Sequence, residues 1–141
     1  MSQDKIKFKI ITPERIVFEA DVNQATLPVS DGEVTILANH RPYIASLKPG
    51  EITLKTKKQD DEKEESLVVS GGFIEFTQNT LTILADTAER AEEIDLKRAE
   101  EAKSRAEKLK DEAHVAAIIH KHAARIKVAR KYYSRKGINI N

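Results

Sequence analysis

The sequence predicts two units of different class: an all-β domain over residues 1–86 and a helical segment over residues 87–141. Three observations carry this division. Before Asp86, short apolar runs are broken by turn residues about every 8–12 positions, the spacing of a sandwich or barrel. All four prolines, and every glycine except Gly137, fall in that half. Beyond it the chain is alanine-rich and dense in Lys, Arg and Glu, with apolar residues three and four apart.

In chain order, residues 5–10 alternate and put Ile6, Phe8 and Ile10 on one face, with Thr12-Pro13 closing the run. Residues 16–18 and 22–27 continue the pattern as far as Pro28 and the turn residues Ser30-Asp31-Gly32. Residues 34–37 are an apolar run; residues 43–47 follow Pro42 and stop at Pro49-Gly50. Residues 51–56 alternate through Ile52 and Leu54, and the charged tract 57–65 reads as an exposed hairpin tip. Residues 67–69, 73–76 and 81–84 complete the set, separated by Gly71-Gly72 and Gln78-Asn79. Gly71-Gly72 lies between two strands and opens no helix, so it reads as a bulge or tight bend, not a phosphate cradle.

In the second unit, Ala99, Ala102, Ala106, Leu109 and Ala113 form a narrow stripe of coiled-coil period. Val115, Ile118, Ile119, His122, Ile126, Ala129 and Tyr133 form another. Asp95 is a helix N-cap, with Ile94 before it and Ala99 at N4 as a weak hydrophobic staple, and Gly137 is a C-terminal stop. Residues 110–114 contain neither Gly nor Pro, which leaves open a two-helix hairpin or one helix of about 60 Å. A seam made mostly of alanine packs weakly, so the helical arm reads as a movable element.

Composition narrows the chemistry. The 141 residues are 40% hydrophobic and 33% charged, above the roughly 25% charge of ordinary domains, with 5% aromatics and no Trp. The absence of Cys removes disulfides, thiolate metal sites and cysteine nucleophiles. No signal peptide or 18-residue apolar run is present, which predicts a soluble intracellular protein that meets a membrane only through a partner. No P-loop, G-x-S-x-G or H-E-x-x-H motif occurs, and His40 has no carboxylate beside it in the sequence. His120 and His122 point to different sides of a helix, with His114 two turns from His122, so seam or solvated histidines are favoured over a metal site. No catalytic residue and no metal ligand is expected.

Charge is unevenly spread. Residues 1–86 carry 10 basic and 14 acidic groups, residues 87–112 carry 7 and 9, and residues 113–141 carry 7 and none. A +7 helix beside two acidic surfaces can fold back on its own chain or reach an acidic partner. It lacks the interleaved aromatics and reading motif of a nucleic-acid binder, so no nucleic-acid partner is expected.

Four strings then show a resemblance. The run from Asp31 to Pro42, Asp-Gly-Glu-Val-Thr-Ile-Leu-Ala-Asn-His-Arg-Pro, resembles the G-E-x-G-I/V-L-P-G-H-x-P loop of the epsilon subunit of bacterial F-type ATP synthases. Leu47-Lys48-Pro49-Gly50 is similar to its L-x-P-G turn, and Val69-Ser70-Gly71-Gly72-Phe73-Ile74-Glu75 to its S-G-G-F-x-E corner. Ile83-Leu84-Ala85-Asp86-Thr87-Ala88-Glu89 resembles its exit from the sheet. The strings occur in the family's order and spacing over nearly the whole chain; Thr35 and Ala38-Asn39 depart from its Gly and Pro-Gly.

The resemblance implies a ten-stranded β-sandwich followed by a two-helix hairpin, non-catalytic and peripheral on the cytoplasmic face of the bacterial membrane. It implies a central-stalk subunit that packs on the gamma subunit, sits on the c-ring and couples proton-driven rotation to ATP synthesis on the beta subunits. Glu33 and His40 are the residues it places at the c-ring. The arm, extended into the alpha/beta catalytic ring, would inhibit ATP hydrolysis, with Arg125, Lys127, Arg130, Lys131, Arg135 and Lys136 gripping acidic groups on beta. Ile94-Asp95-Leu96-Lys97-Arg98-Ala99 is similar to the I/L-D-x-x-R-A nucleotide segment of some members, with Glu89 six residues before Asp95 and Arg105 seven after Arg98. Two arginines seven apart share a helix face about 10.5 Å apart along the axis, within reach of one triphosphate. Lys121 and Arg125 would close that regulatory ATP site; no cofactor is otherwise required, and no magnesium ligands accompany the arginines. A free-standing adaptor built from a β domain and a partner helix, and a small nucleic-acid-binding protein, are the competing classes.

Overall fold

The structure, a computed structural model, describes residues 5–107 and 112–136, with side chains described over 5–107 and 116–136. Ten strands come first: β1 (Ile6–Ile11), β2 (Ile16–Val22), β3 (Gln24–Val29), β4 (Gly32–Leu37), β5 (Tyr43–Leu47), β6 (Gly50–Lys58), β7 (Asp61–Val69), β8 (Gly72–Thr77), β9 (Thr80–Ala85) and β10 (Ala88–Arg90). A single 3₁₀ turn, Ala91–Glu93, leads to the helices α1 (Leu96–Ala106) and α2 (Glu112–Arg135). Two five-stranded sheets face each other, one ordered β2-β1-β9-β8-β5 (sheet A) and the other β10-β7-β6-β3-β4 (sheet B). All pairs are antiparallel except β1 with β9.

Period-two alternation makes the core. Ile6, Phe8 and Ile10 point inward, and Ile74, Phe76, Leu81 and Ile83 do so from the same sheet. Ala25, Leu27, Ile36, Ile52, Leu54, Leu67 and Val69 meet them from sheet B. The run expected over residues 22–27 divides at Asn23, whose carboxamide accepts a hydrogen bond from the Lys57 backbone N–H at 2.7 Å. The charged tract 57–65 is mostly strand rather than tip. Only Gln59, with φ of +57°, and Asp60 turn, and the arms face Lys55 to Glu64, Lys57 to Glu62 and Lys58 to Asp61 across the ladder. Directly opposed opposite charges stabilise such pairs in place of apolar contact. Sheet B also runs past residue 86, because β10 pairs Ala88, Glu89 and Arg90 with Val69, Val68 and Leu67.

The helices form a hairpin: α1 and α2 pack on each other, and α2 lies on β6, β7 and the 3₁₀ turn. Asp95 caps α1 by accepting from the Arg98 backbone N–H at 3.2 Å, while Ile94 and Ala99 are both buried in the cluster beneath it. That cluster comprises Val68, Ala91, Ile94, Ala99, Val128 and Ala129. Val128 was not on either expected stripe; α2 has a second neighbour, the sheet, and so buries a second row. Leu109, Ala113, Val115, His114 and the Gly137 stop lie outside the residues whose side chains are described.

The Gly71-Gly72 corner is a tight bend. Their φ values are +127° and +140°, and a Cβ on Gly72 would collide with the Leu84 carbonyl oxygen and stand 2.9 Å from Ala85 Cα. Gly32, with φ of +122°, has open space where its Cβ would be. Gly32→Ala should therefore cost backbone strain alone, about 1–3 kcal/mol. Gly72→Ala must also displace the β9 backbone and should cost about 2–6 kcal/mol, strain and overpacking together. Urea unfolding midpoints of the two variants test this ranking.

Candidate functional site

Two outer faces of the sandwich differ in kind. On sheet A the core residues Ile10, Ile83 and Ile74 alternate with Ile11, Leu84 and Phe73, which therefore point outward. Register sets Ile11 opposite Leu84, and Leu84 opposite Phe73. Phe73 is 61% exposed and Leu84 52%, and Ile44 on the edge strand β5 is 77% exposed. Ile16, opposite Ile11, is exposed as well. These residues come from all five strands of sheet A, and among the described residues no helix packs on them; exposed apolar patches are the usual form of a docking surface.

On sheet B the chain's own arm covers β6 and β7, while Leu37 on β4 stays exposed. Glu51, on β6, keeps only 10% of its side chain exposed. It accepts from Lys131 Nζ at 2.8 Å and pairs with Lys127 Nζ at 3.1 Å. Lys131 also reaches Ser66 Oγ at 3.4 Å and Glu64 at 3.7 Å, and Arg135 donates to the Glu64 carbonyl at 3.2 Å. Arg130 donates to Glu100 of α1 at 3.0 Å, and Lys136 stands over the Tyr132 ring. Tyr133 Oη lies 3.5 Å from the Ile94 carbonyl. The basic residues expected to grip an outside partner are thus engaged within the chain. Sequence reasoning missed Glu51, although its place in the acidic first half opposite a +7 helix was the available signal. A cleft of about 570 Å³ opens beside this contact, walled by Leu67, Arg90, Val128, Lys131, Tyr132 and Arg135.

The residues predicted for a nucleotide are brought together only in part. Glu89 on β10 lies 2.9 Å from Arg125 Nε but off the N–H direction, so the pair is an ion pair that leaves this N–H without a hydrogen bond. Arg125 also donates to His122 Nδ1 at 3.0 Å, which makes His122 a neutral acceptor. Arg98 is largely exposed and 3.7 Å from Asp95, its N-cap neighbour. Ile94 and Ala99 are core residues of the hairpin, so their part in the motif is packing. Arg105 is exposed, and its charge is felt at His122 together with those of Arg125 and Lys121. Four nitrogen-bearing side chains therefore converge where α1 meets α2.

At the opposite hairpin, Glu33 is exposed on β4, and its charge reaches Lys127. His40 is held differently. Its ring meets Tyr43 and Phe76 edge-on, with centroids 6.0 and 5.9 Å away, and its Nδ1 is 2.7 Å from the Arg41 carbonyl. Asn39, at φ of +67°, accepts from Asn79 Nδ2 at 3.2 Å, and its backbone N–H donates to Asn79 Oδ1 at 2.6 Å. This clamp replaces the Pro-Gly of the resembling loop.

The titrating groups set a pH window for the folded arm. Burial, then the cations Arg125, Lys121 and Arg105, hold His122 below its ordinary 6.5. A depressed value means the unfolded arm binds the proton more readily, so stability present above about 6.5 is lost as pH falls through the depressed value. Burial raises the Glu51 carboxyl, but hydrogen bonds from Lys131, Ser66 and Lys127 outweigh it and hold Glu51 below 4.5. Its contribution is present above 4.5 and lost below, in the same direction. Lys127, raised above 10.5 by Glu51, loses its share only as pH climbs past that raised value. Amide exchange across α2, corrected for intrinsic rate, should accelerate as pH falls from about 7 to about 5.5 while β1 and β9 stay protected. His122→Gln should abolish that acceleration.

Comparisons with known proteins agree with this architecture. Residues 5–91 match the family model described as the ATP synthase Delta/Epsilon chain, beta-sandwich domain. The chain is 49% identical over 100 residues to the ATP synthase epsilon chain of Dichelobacter nodosus, covering 71% of this chain and 68% of that one. It is 35% identical over 134 residues to the ATP synthase epsilon chain of Lactobacillus gasseri, covering 95% and 88%. The fold is similar to that of a chain in the mitochondrial ATP synthase of Euglena gracilis, solved with OSCP, F1 and the c-ring. The TM-score is 0.65 at 20% identity, over 94% of this chain and 81% of that one. Family model, identity and fold coincide, and the chain belongs to the epsilon-chain family of ATP synthases.

Proposed function

We propose that the chain is the non-catalytic rotor-stalk subunit of a bacterial F-type ATP synthase, with an arm that restrains ATP hydrolysis. The observation that carries this is the contrast between the two outer faces. The chain's own helix covers β6 and β7 of sheet B, while sheet A leaves Leu84, Phe73 and Ile44 exposed beside the half-buried Ile11. An uncovered apolar row on a chain of this family is suited to the gamma subunit. The Glu33 hairpin then faces the polar loops of the c-ring, while His40 shapes that loop from within through Tyr43 and Phe76. No described helix is long and apolar enough to cross a membrane. In this reading the chain is attached through the complex, at the cytoplasmic face. Phe73→Glu with Leu84→Glu should leave the fold intact, because both side chains are exposed, and weaken co-assembly with gamma by about 100-fold or more. Unchanged co-assembly would reject the docking face.

The arm reading is supported by where its charges go. Released from Glu89, Glu51, Glu64 and Glu100, Arg125, Lys127, Arg130, Lys131 and Arg135, with Lys136, form a continuous basic helix suited to acidic groups of the alpha/beta ring. Truncation is best placed after Ile94, since β10 and the 3₁₀ turn belong with sheet B. It should raise hydrolysis by the assembled enzyme and leave stalk assembly unchanged. Regulatory ATP would bind the folded hairpin, where Arg98, Arg105 and Arg125 offer guanidinium forks and Asp95 and Glu89 accept from the nucleoside. The cations whose charges meet at His122, namely Arg125, Lys121 and Arg105, support an anion there. Calorimetric titration with ATP should give saturable heat that Arg98→Ala or Arg125→Ala diminishes. The absence of heat below millimolar ATP would remove the site.

A further inference from the structure

We propose that Glu51 is the latch of the folded arm: one nearly buried sandwich carboxylate that holds two arm lysines, Lys127 and Lys131, and so sets how readily the arm leaves sheet B. This rests on reading the arm as movable. The geometry is asymmetric. Glu51 sits on a central strand, keeps 10% of its side chain exposed under α2, and is the carboxylate both lysines share, at 3.1 and 2.8 Å. Each lysine is more exposed than the carboxylate, and Lys131 retains Glu64 and Ser66 as secondary partners. The apolar contact beside it is small, with Val68 and Val128 the only buried residues larger than alanine apart from Ile94 among the described ones. Shape there holds the arm weakly, and the carboxylate supplies what alanine cannot.

The latch is also self-limiting. Once α2 departs, Glu51 is rehydrated on the open face of sheet B, so it leaves no stranded charge behind. While α2 stays, removing the lysines strands the nearly buried carboxylate, which is the costly arrangement, whereas removing Glu51 leaves Lys127 in solvent and Lys131 on Glu64 and Ser66. Docking and pairing are therefore one event. An arm that extends to an outside partner carries Lys127 and Lys131 away from Glu51, so release is an exchange of carboxylates.

Hydrogen exchange on the full chain tests this. Glu51→Gln keeps shape and burial and removes the charge; it should raise the opening of α2 by roughly tenfold to a hundredfold. Protection of β1, β8 and β9 should not change. A charge swap, Glu51→Lys with Lys127→Glu and Lys131→Glu, should restore protection of α2. Unaltered α2 exchange in Glu51→Gln would overturn the latch. So would a charge swap that fails to restore protection, and that comparison also decides the matter if Glu51→Gln loosens the core. In the assembled enzyme Glu51→Gln should lower ATP hydrolysis by freeing the arm to inhibit. If α2 opens as expected and hydrolysis is unchanged, the latch stands and the inhibitory reading falls.

Discussion

The arrangement of the whole molecule depends on β7 being buried on both faces. Residues 66–69 are all buried in a strand whose earlier half is open to solvent. Leu67 and Val69 enter the sandwich core; Val68 faces the other way and is buried only because α2 and the 3₁₀ turn lie over it. A strand covered on both sides reads as a continuous apolar run rather than an alternating one. β10 extends the same logic, since it pairs with β7 along Leu67–Val69 and delivers the chain to the 3₁₀ turn. The sandwich thus builds the seat for its own arm from the strand that closes its core.

That seat is electrostatic at its rim and only lightly apolar at its centre. The main core holds nineteen buried residues, the arm cluster six, and half of those six are alanine. At about 0.8 kcal/mol for each buried methylene, alanines contribute far less than the leucines and isoleucines of the core. Close approach of α1 and α2 is what they provide instead, and close approach brings Arg130 to Glu100 and Tyr133 to the Ile94 carbonyl. The exposed pairs contribute little each. The arm is accordingly held by far less buried apolar contact than the sandwich.

Much of this was legible in the residues. Alternation at Ile6, Phe8 and Ile10, the turns at Gly71-Gly72 and Gln78-Asn79, and the Asp95 cap follow from local rules and are present as such. Both residues of the Gln78-Asn79 turn have positive φ, as a tight hairpin requires. The charged tract misled because an ion ladder between Lys55–Lys58 and Asp61–Glu64 has no apolar period to read. Strand β10 was hidden for another reason: three residues are too short to show alternation, and its pairing is set by β7. Val128 and Glu51 depend on which surface α2 meets, which is tertiary information that no window of one helix contains.

The nucleotide motif shows the same limit from the other side. Its six positions resemble one recognition unit, while Asp95 also reads as a cap and Ile94 with Ala99 as a staple, and the fold separates these roles. Ile94 and Ala99 pack, Asp95 caps, and Arg98 stays in solvent. Only Arg125, drawn from the second helix, is fixed, and it is fixed by Glu89 and His122. The Glu89 tether exists only while the hairpin is closed on β10, whereas His122 lies on the same helix as Arg125 and moves with it. Docking of the second helix therefore fixes Arg125 beside Glu89 and leaves Arg98 in solvent. Which of these side chains is held is decided by where the second helix lies rather than by the motif, and the same docking buries Val68 and pairs Glu51.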